Sequence, residues 1–267
     1  MQNKRVITLT TDFGTSDHFV GAMKGVIKSI APNTEIIDIT HDLNAYEIAE
    51  AAFTFSQAWP CFPKKTIHVA VVDPGVGSAR RPILVEAAGQ YFIGPDNGIL
   101  TSAIETAKSK TRHITNTKLF RPEVSRTFHG RDVFAPCAAH LSKATPPAKF
   151  GKLIEDALRL NTGKVTQTSK RQWSGVIQKI DRFGNCITNF HVREFPWIAT
   201  NPFVFTIGFE HVAQLAANYA ACQYGEYYAI AGSSGFYEII LREAHAGKRL
   251  GVAAGAPVEL MGWAKED

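Results

Sequence analysis

Hydrophobic residues in the first half of the chain recur with two different periods, which alternate along the sequence. β-branched runs such as RVITLTT (5–11), TEIIDIT (34–40) and TIHVAVVD (66–73) are typical of buried strands. The stretches between them, such as 16–32, carry apolar residues at helical spacing. Strands that alternate with helices predict an α/β domain with a mainly parallel sheet and helices on both faces.

The second half follows a different pattern. Residues 144–172 are rich in Pro, Lys, Thr and Gly, and we interpret them as a linker with one short helical piece. Beyond the linker, short strand-like segments with glycine turns follow one another. We therefore predict an α/β domain over 1–165 and a small all-β barrel domain over 172–267.

The composition argues against several classes of partner. The chain has 267 residues with 29 Lys and Arg against 24 Asp and Glu, and no run gathers its net charge of +5 into a basic stripe. Nucleic acid is therefore not an expected partner. No apolar segment approaches the roughly 20 residues that a membrane helix needs, and no signal peptide is apparent. We expect a soluble, cytoplasmic protein without a membrane partner.

The cysteines give no sign of a metal or redox centre. All four of them are isolated in the sequence, and no CxxC pair occurs. Zinc clusters and thioredoxin-like motifs need such pairs. The sequence therefore predicts no metal site.

Polar residues follow three of the predicted strands: Asp12 after the first, His41 and Asp42 after the second, and Asp73 after the third. In an open parallel sheet, ligands bind at the carboxyl ends of the strands. One such residue is equally typical of a turn or a helix cap. Three polar ends on neighbouring strands favour a ligand pocket. A metal-dependent phosphatase that uses Asp12, Asp42 and Asp73 is a weaker alternative.

His129 lies in the segment SRTFHGRDVFAP between an aromatic residue and Gly130. This position on a tight turn lets an imidazole project into a cleft, although an isolated histidine is more often structural. None of the glycine-rich turns matches a P-loop, a nucleophile elbow or a dinucleotide fingerprint. Phosphate-binding chemistry is therefore disfavoured.

Two turns of the second half carry further polar and aromatic residues. A β-hairpin turn and a ligand contact explain IDRFGN equally well, and AGSSGFYE forms another tight turn. The candidate residues in these turns are Asp181, Phe183, Asn185, Ser233, Ser234 and Glu238.

Taken together, six segments resemble the S-adenosylmethionine (SAM) hydroxide adenosyltransferases, which are related to the bacterial fluorinase and chlorinase. In chain order these segments are TTDFGTSD, DITHDL, VVDPGVGSARRPI, GPDNGIL, TFHGRDVFAP and DRFGN. The resemblance implies hydrolysis of SAM to adenosine and L-methionine, with SAM as substrate and no cofactor. It also implies a trimer whose sites lie between neighbouring subunits.

The hydrolytic members of this family carry an Asp-Arg-His trio, which corresponds here to Asp73, Arg80 and His129. The halogenating relatives have a tyrosine in place of the aspartate and a serine after the residue that matches the histidine. Because this chain has Asp73 and Gly130 at those positions, the resemblance implies water as the nucleophile. A SAM-dependent halogenase and a non-catalytic nucleoside-binding module remain alternatives. The sequence leaves open whether Asp73 or His129 accepts the proton, and Arg81 is expected to face solvent or another subunit.

The resemblance also assigns the substrate contacts. Asp12 is implied to bind the ribose hydroxyls, while Phe183 and Asn185 of the neighbouring chain are implied to stack on the adenine and read its edge. Asp181 is implied to meet the methionine ammonium group. Ser233 and Ser234 are implied to lie near the methionine carboxylate, and Tyr46 stands in place of a tryptophan of the fluorinase. The full set of remaining implied contacts is His41, Tyr46, Gly130, Ser233, Ser234 and Glu238.

Overall fold

The computed structural model describes residues 5–161 and 163–263. The chain forms two compact units that divide between Leu160 and Asn161. This division falls within the stretch that the composition marks as a linker.

A seven-stranded mixed sheet forms the centre of the first unit, with strand order β2-β1-β3-β5-β4-β6-β7. The strands are β1 (Val6–Thr11), β2 (Glu35–Thr40), β3 (Ile67–Val71), β4 (Pro82–Ala87), β5 (Gln90–Pro95), β6 (Lys110–His113) and β7 (Leu153–Ile154). Three neighbouring pairs are parallel and three are antiparallel.

The prediction of a mainly parallel sheet is therefore right only for the half that contains β1, β2, β3 and β5. Only Ala88 and Gly89 connect β4 to β5, and both have positive φ, 51° and 77°. Such a two-residue turn forces an antiparallel hairpin, because a parallel connection needs a long crossover.

Helices cover both faces of this sheet, as the alternating pattern predicts. The helices are α1 (Phe19–Ile30), α2 (Ile48–Ala58), α3 (Thr101–Ile104) and α4 (Ala135–Ser142), and a π-helical turn, Gly130–Phe134, leads directly into α4. Alternate residues of β3 belong to different hydrophobic clusters: Val69 lies in the cluster of α1 and α4, and Ala70 in that of α2 and α3. Pro136 lies in the first turn of α4, and the backbone oxygen of Asp132, four residues earlier, accepts from the N–H of Arg121. Within the described ranges, no helix is long and apolar enough to cross a membrane.

The second unit is built around a nine-stranded sheet. Its strands are β8 (Thr166–Ser169), β9 (Gln172–Ile180), β10 (Cys186–His191), β11 (Phe203–Ile207), β12 (Glu210–Val212), β13 (Leu215–Ala216), β14 (Tyr227–Ala231), β15 (Phe236–Leu241) and β16 (Pro257–Gly262), with one short helix, α5 (Ala246–Leu250). The main hydrogen-bonded path runs β12-β11-β16-β9-β10-β15-β14-β13, and β8 pairs with β9.

This sheet is curled rather than a closed barrel. In the part of the chain that is described, β12 and β13 are the two ends of the path, and strand pairing does not join them. Residues 213–214 carry the chain from one edge to the other, so the gap is bridged covalently.

The described residues of the linker stretch 144–172 contain one short helical piece, the 3₁₀ turn Pro147–Lys149, together with the strands β7 and β8. Tertiary contacts fix the residues that follow this turn: β7 pairs with the edge strand β6, and the backbone N–H groups of Leu158 and Leu160 donate to the side chains of Asp96 and Thr101. These bonds hold the chain extended.

Candidate active site

A cavity of about 280 Å³ opens at the carboxyl ends of β1 and β3. Asp12 follows the last residue of β1, and Asp73 lies two residues beyond the end of β3. Because these strands are parallel neighbours, both carboxylates reach the same edge of the sheet. The other residues that line the cavity are Phe13, Phe19, Ala45, Tyr46, Val71, Val76, Thr127, Phe128, His129 and Gly130.

Arg80 joins the other two members of the predicted trio. Its Nε donates to Asp73 Oδ1 at 2.9 Å and its Nη2 donates to Oδ2 at 2.5 Å. The same Nη2 lies 2.8 Å from Nδ1 of His129. The Asp73 and Arg80 side chains are only 5% and 10% exposed, so this bidentate ion pair is shielded from water. The structure therefore brings all three side chains together at the cavity edge.

The protein surroundings of Arg80 are only partly polar. Its guanidinium carbon lies 5.2 Å from the centre of the Phe134 ring, a cation–π contact. Its Nη1 is buried and has no hydrogen-bond partner among the described residues. The orientation of Arg80 is thus determined by the hydrogen bonds of Nε and Nη2 to Asp73 and His129 and by the Phe134 ring on the face of the guanidinium.

The loop after Asp73 packs directly against the loop before His129. Gly77 has φ +78°, and a Cβ at this position would lie 2.3 Å from the backbone oxygen of Arg126. Only glycine permits both this backbone conformation and this approach. The close contact keeps the two loops at the separation that the Arg80–His129 hydrogen bond requires.

Asp132 organises the loop that carries His129. The fully buried carboxylate accepts from Arg121 Nη1 at 3.0 Å, from Arg131 Nε at 2.7 Å and from the backbone N–H of Ser125 at 2.9 Å. Despite burial, these bonds hold the pKa of Asp132 well below its ordinary value. Arg131 and Asp132 were not among the candidate residues that the sequence indicated. The available sequence signal was that Arg131 and Asp132 lie only two and three positions after His129. This signal does not predict a buried ion pair, because a charged pair at the start of a helix is usually exposed to solvent.

The electrostatic surroundings favour a neutral His129. Burial lowers its pKa, and the positive charge of Arg80 lowers it further, while Asp73 and Asp132 act in the opposite direction. At neutral pH the imidazole is therefore uncharged.

Gly130 lines the cavity where there is no room for a side chain. A Cβ there would lie 3.2 Å from Met23 Sδ, 3.2 Å from the Phe128 ring and 3.3 Å from the Phe13 ring. These contacts are tighter than ordinary van der Waals distances, so the aromatic residues would have to shift. The glycine after His129 therefore sets the shape of the cavity.

The other predicted residues of the first unit differ in their placement. Asp12 Oδ2 accepts from the backbone N–H of Tyr46 at 2.9 Å, and Tyr46 has φ +71° with a side chain that is 72% exposed. His41 is buried: its Nδ1 is 2.8 Å from Thr11 Oγ1, and its Nε2 is 3.0 Å from Asp38 Oδ1. The structure thus places Asp12 and Tyr46 at the cavity, whereas His41 supports the wall behind it.

In the second unit, Asp181 closes the turn that precedes β10. Its Oδ1 accepts from the backbone N–H groups of Phe183 and Asn185 at 2.9 and 2.8 Å, and its Oδ2 accepts from Asn185 Nδ2 at 3.0 Å. The Phe183 side chain at the tip of the turn is 78% exposed. An exposed phenylalanine on a rigid turn is suited to stacking against a ligand ring.

Glu238 lies on β15, opposite Ile187 of β10. Burial raises its pKa, and the nearby charge of Asp181 raises it further. Tyr219 donates a long hydrogen bond of 3.4 Å to its Oε2. Ser233 is exposed, and the buried Ser234 Oγ has no partner in the described part of the chain.

Known protein families match both units of the chain. Sequence models of the SAM hydroxide adenosyltransferase N-terminal and C-terminal domains match residues 7–151 and 175–259. The chain belongs to the SAM hydroxide adenosyltransferase family.

Several individual proteins are similar to this chain over most of their length. An (R)-S-adenosyl-L-methionine hydrolase of Thermus thermophilus is 33% identical over 96% of this chain and 100% of its own. One of Methanocaldococcus jannaschii is 39% identical over 71% and 68%. The crystal structure of an uncharacterized conserved protein from Thermotoga maritima has a TM-score of 0.88 at 34% identity, covering 96% of this chain and 99% of that one. A fluorinase of an Actinoplanes species is 30% identical over 70% and 72%.

Arg81, the residue next to the arginine of the family trio, was expected to face solvent or another subunit. Its side chain is 26% exposed, and its guanidinium pairs with Asp96 at 2.6 Å and with Asp156 at 2.8 Å. It also donates to the backbone oxygen of Asp156. These ion pairs were not predicted, because both carboxylates come from distant parts of the chain, which one sequence does not reveal.

The phosphatase alternative requires acidic side chains that converge on a metal ion. Among residues 5–161 and 163–263, no three His, Cys, Asp or Glu side chains form a group that could hold a metal ion. Asp12, Asp42 and Asp73 therefore do not converge as that alternative requires.

Proposed function

We propose that this chain hydrolyses SAM to adenosine and L-methionine, by in-line attack of an enzyme-held water on the ribose 5′ carbon. The observation that carries the proposal is the contact of Arg80 with both Asp73 and His129 beside the cavity. Relatives 33–39% identical are named (R)-S-adenosyl-L-methionine hydrolase, which supports the substrate and its (R) configuration.

The chemistry explains why such a trio is useful. The leaving group, the methionine thioether, is neutral and leaves readily, whereas water is a weak nucleophile. Fixed alignment of reactants contributes about 7–11 kcal/mol in favourable cases, and a general base adds about 10²–10⁴-fold. The largest gain therefore comes from holding one water in line with the carbon–sulfur bond.

The residues of the first unit have separate proposed roles. The backbone N–H of Tyr46 donates to Oδ2 of Asp12, and the remaining lone pairs of this carboxylate accept hydrogen bonds from the ribose hydroxyls. Phe13, Phe19 and Phe128 surround the nucleoside with apolar surface and exclude other waters. Asp73 and His129 face the attacking water.

The second unit is proposed to complete the site of a neighbouring subunit in a homotrimer. Phe183 stacks on the adenine and Asn185 binds its edge, while Asp181 binds the methionine ammonium group. Ser233, Ser234 and Glu238 bind the remaining methionine end. The proposal needs no metal and no cofactor, because SAM itself enters as the substrate; the location of the protein in the cytoplasm stays a prediction.

The direct test is incubation of the purified protein with (R)-SAM, with and without excess chloride or fluoride, followed by chromatography. The proposal predicts adenosine and methionine in equal amounts, unaffected by a chelator. A halo-deoxyadenosine that appears with halide would identify a halogenase instead. Binding of adenosine without turnover would identify a nucleoside-binding module.

A further inference from the structure

Arg80 differs from its two partners in its relation to the cavity. Asp73 and His129 line the cavity, whereas Arg80 is not among the described residues that do so. Arg80 contacts both side chains, Asp73 through Nε and Nη2 and His129 through Nη2. Any effect of Arg80 on a bound water must therefore act through Asp73 and His129.

The contact with Arg80 determines the tautomer of His129. A guanidinium has five N–H donors and no acceptor, and it stays protonated in proteins. The bond between Arg80 Nη2 and His129 Nδ1, at 2.8 Å, thus requires an unprotonated Nδ1 that accepts. A neutral imidazole with a bare Nδ1 carries its proton on Nε2.

The charged form of His129 does not fit the same geometry. A proton on Nδ1 would point at the Arg80 N–H group and bring two cations together. Burial and the Arg80 charge both oppose this, and they outweigh the attraction of Asp73 and Asp132, since the pKa of His129 is lowered overall. The Nε2–H group is thus a donor, and Nε2 has no lone pair with which to accept a proton from water.

Asp73, in contrast, keeps acceptor capacity. An ionised carboxylate offers about four lone-pair positions, and Arg80 uses one on each oxygen. One lone pair on each oxygen remains for other donors, and Asp73 lines the cavity.

We propose that Arg80 is a positioning residue that fixes His129 as an Nε2–H donor to the attacking water, and that Asp73 accepts the proton of this water. The second half rests on the function proposed above. As the water oxygen bonds to the 5′ carbon, the carbon–sulfur bond breaks and its electron pair stays on the methionine sulfur. The water proton moves to Asp73, which releases it to solvent after adenosine forms.

The first half is tested by nitrogen-15 NMR of the histidine rings in the full chain, with the His129 signals identified by their loss in His129→Gln. We expect an unprotonated Nδ1 and a protonated Nε2 at neutral pH, and a mixture of tautomers in Arg80→Gln. A protonated Nδ1 in the wild type overturns the proposal. This measurement is independent of turnover, so it remains decisive even if SAM proves not to be the substrate.

The second half is tested by the turnover of folded variants, with folding checked by thermal unfolding. The glutamine of His129→Gln donates through its amide but does not act as a base. It should therefore retain turnover within about 10-fold of wild type, whereas His129→Ala loses about 10²-fold. Asp73→Asn should lose 10²–10⁴-fold, roughly the contribution of a base.

The opposite ranking, with His129→Gln as inactive as His129→Ala and Asp73→Asn close to wild type, would assign the base to His129 and overturn the proposal. Arg80→Lys separates positioning from charge. A single ammonium does not hold both partners, so kcat should fall by about 10-fold or more with KM nearly unchanged. An unchanged kcat in Arg80→Lys contradicts a positioning role for the guanidinium.

Discussion

The Arg80 guanidinium binds both the Asp73 carboxylate and the His129 imidazole. Because a guanidinium only donates hydrogen bonds, the atoms of both partners that face it must be acceptors. The family resemblance identified the three residues, but it left their division of labour open. The roles became distinguishable only from the atoms in contact, Nη2 with Nδ1 in particular. Which ring nitrogen faces an arginine depends on a side-chain torsion, and a sequence does not specify it.

His68 is a second residue whose protonation has a measurable consequence. It is fully buried on β3, with Nδ1 2.7 Å from Thr8 Oγ1 and Nε2 2.5 Å from Gln90 Oε1. Burial lowers its pKa from 6.5 to about 4, although the bond to Gln90 acts in the opposite direction. The folded state therefore disfavours the charged imidazole.

We expect the contribution of His68 to the free energy of unfolding to be fully present above pH 6.5 and to fall as the pH decreases from 6.5 to about 4. In this range His68 binds a proton in the unfolded chain but stays neutral in the folded chain. The full loss from this residue is about 3 kcal/mol. Urea unfolding at pH 7 and pH 4.5 measures it, with His68→Gln as the control. An equal pH dependence in His68→Gln would show that other groups cause the loss.

On the scale of elements, the loop at 121–129 is held by the π-helical turn that follows it. Asp132→Ala removes the carboxylate that binds Arg121, Arg131 and the Ser125 backbone. We expect a decrease of about 2–3 kcal/mol in the free energy of unfolding and a lower kcat. Asp156→Ala is the matched control, because its exposed carboxylate also pairs with an arginine, and its loss should lower the free energy of unfolding much less. Equal effects of the two changes would contradict the account.

The contact between the two loops gives a sharper prediction. In Gly77→Ala, the new Cβ would meet the Arg126 backbone at 2.3 Å and the residue would keep a strained φ. The loops must separate, which lengthens the Arg80–His129 bond, so kcat should fall at least about 10-fold. Gly208→Ala, at a turn with similar φ and open space, is the control for backbone strain alone. Similar losses of activity in both variants would argue against the contact.

Among the elements, the alternating periods predicted the parallel strands and the helices on both faces. The β4–β5 hairpin was missed because a two-residue connection carries little periodic signal. The short helical piece expected in the linker is a single 3₁₀ turn, and the contacts of Asp96 and Thr101 with the backbone that follows it were missed because both residues are distant in sequence. Asp132 was missed because burial decides whether a charged residue is structural, and burial depends on the whole fold.

On the scale of the whole molecule, the proposed trimer predicts that activity can be restored by mixing inactive chains. Asp73→Asn and Asn185→Ala would each impair a different side of a site shared by two subunits. Co-refolded at equal amounts, they should regain about a quarter of wild-type sites by random pairing. Turnover after co-refolding measures this, and light scattering measures the mass. No recovery in a verified trimer would mean that each site is built from one chain.

The most direct test of the central claim is hydrolysis of (R)-SAM in water enriched in oxygen-18, with mass spectrometry of the adenosine. The account predicts that the heavy oxygen enters the 5′ hydroxyl in proportion to its enrichment in the water, and that Asp73→Asn forms far less of this product. Adenosine with an unlabelled 5′ oxygen, or no adenosine from a folded wild-type protein, would contradict it.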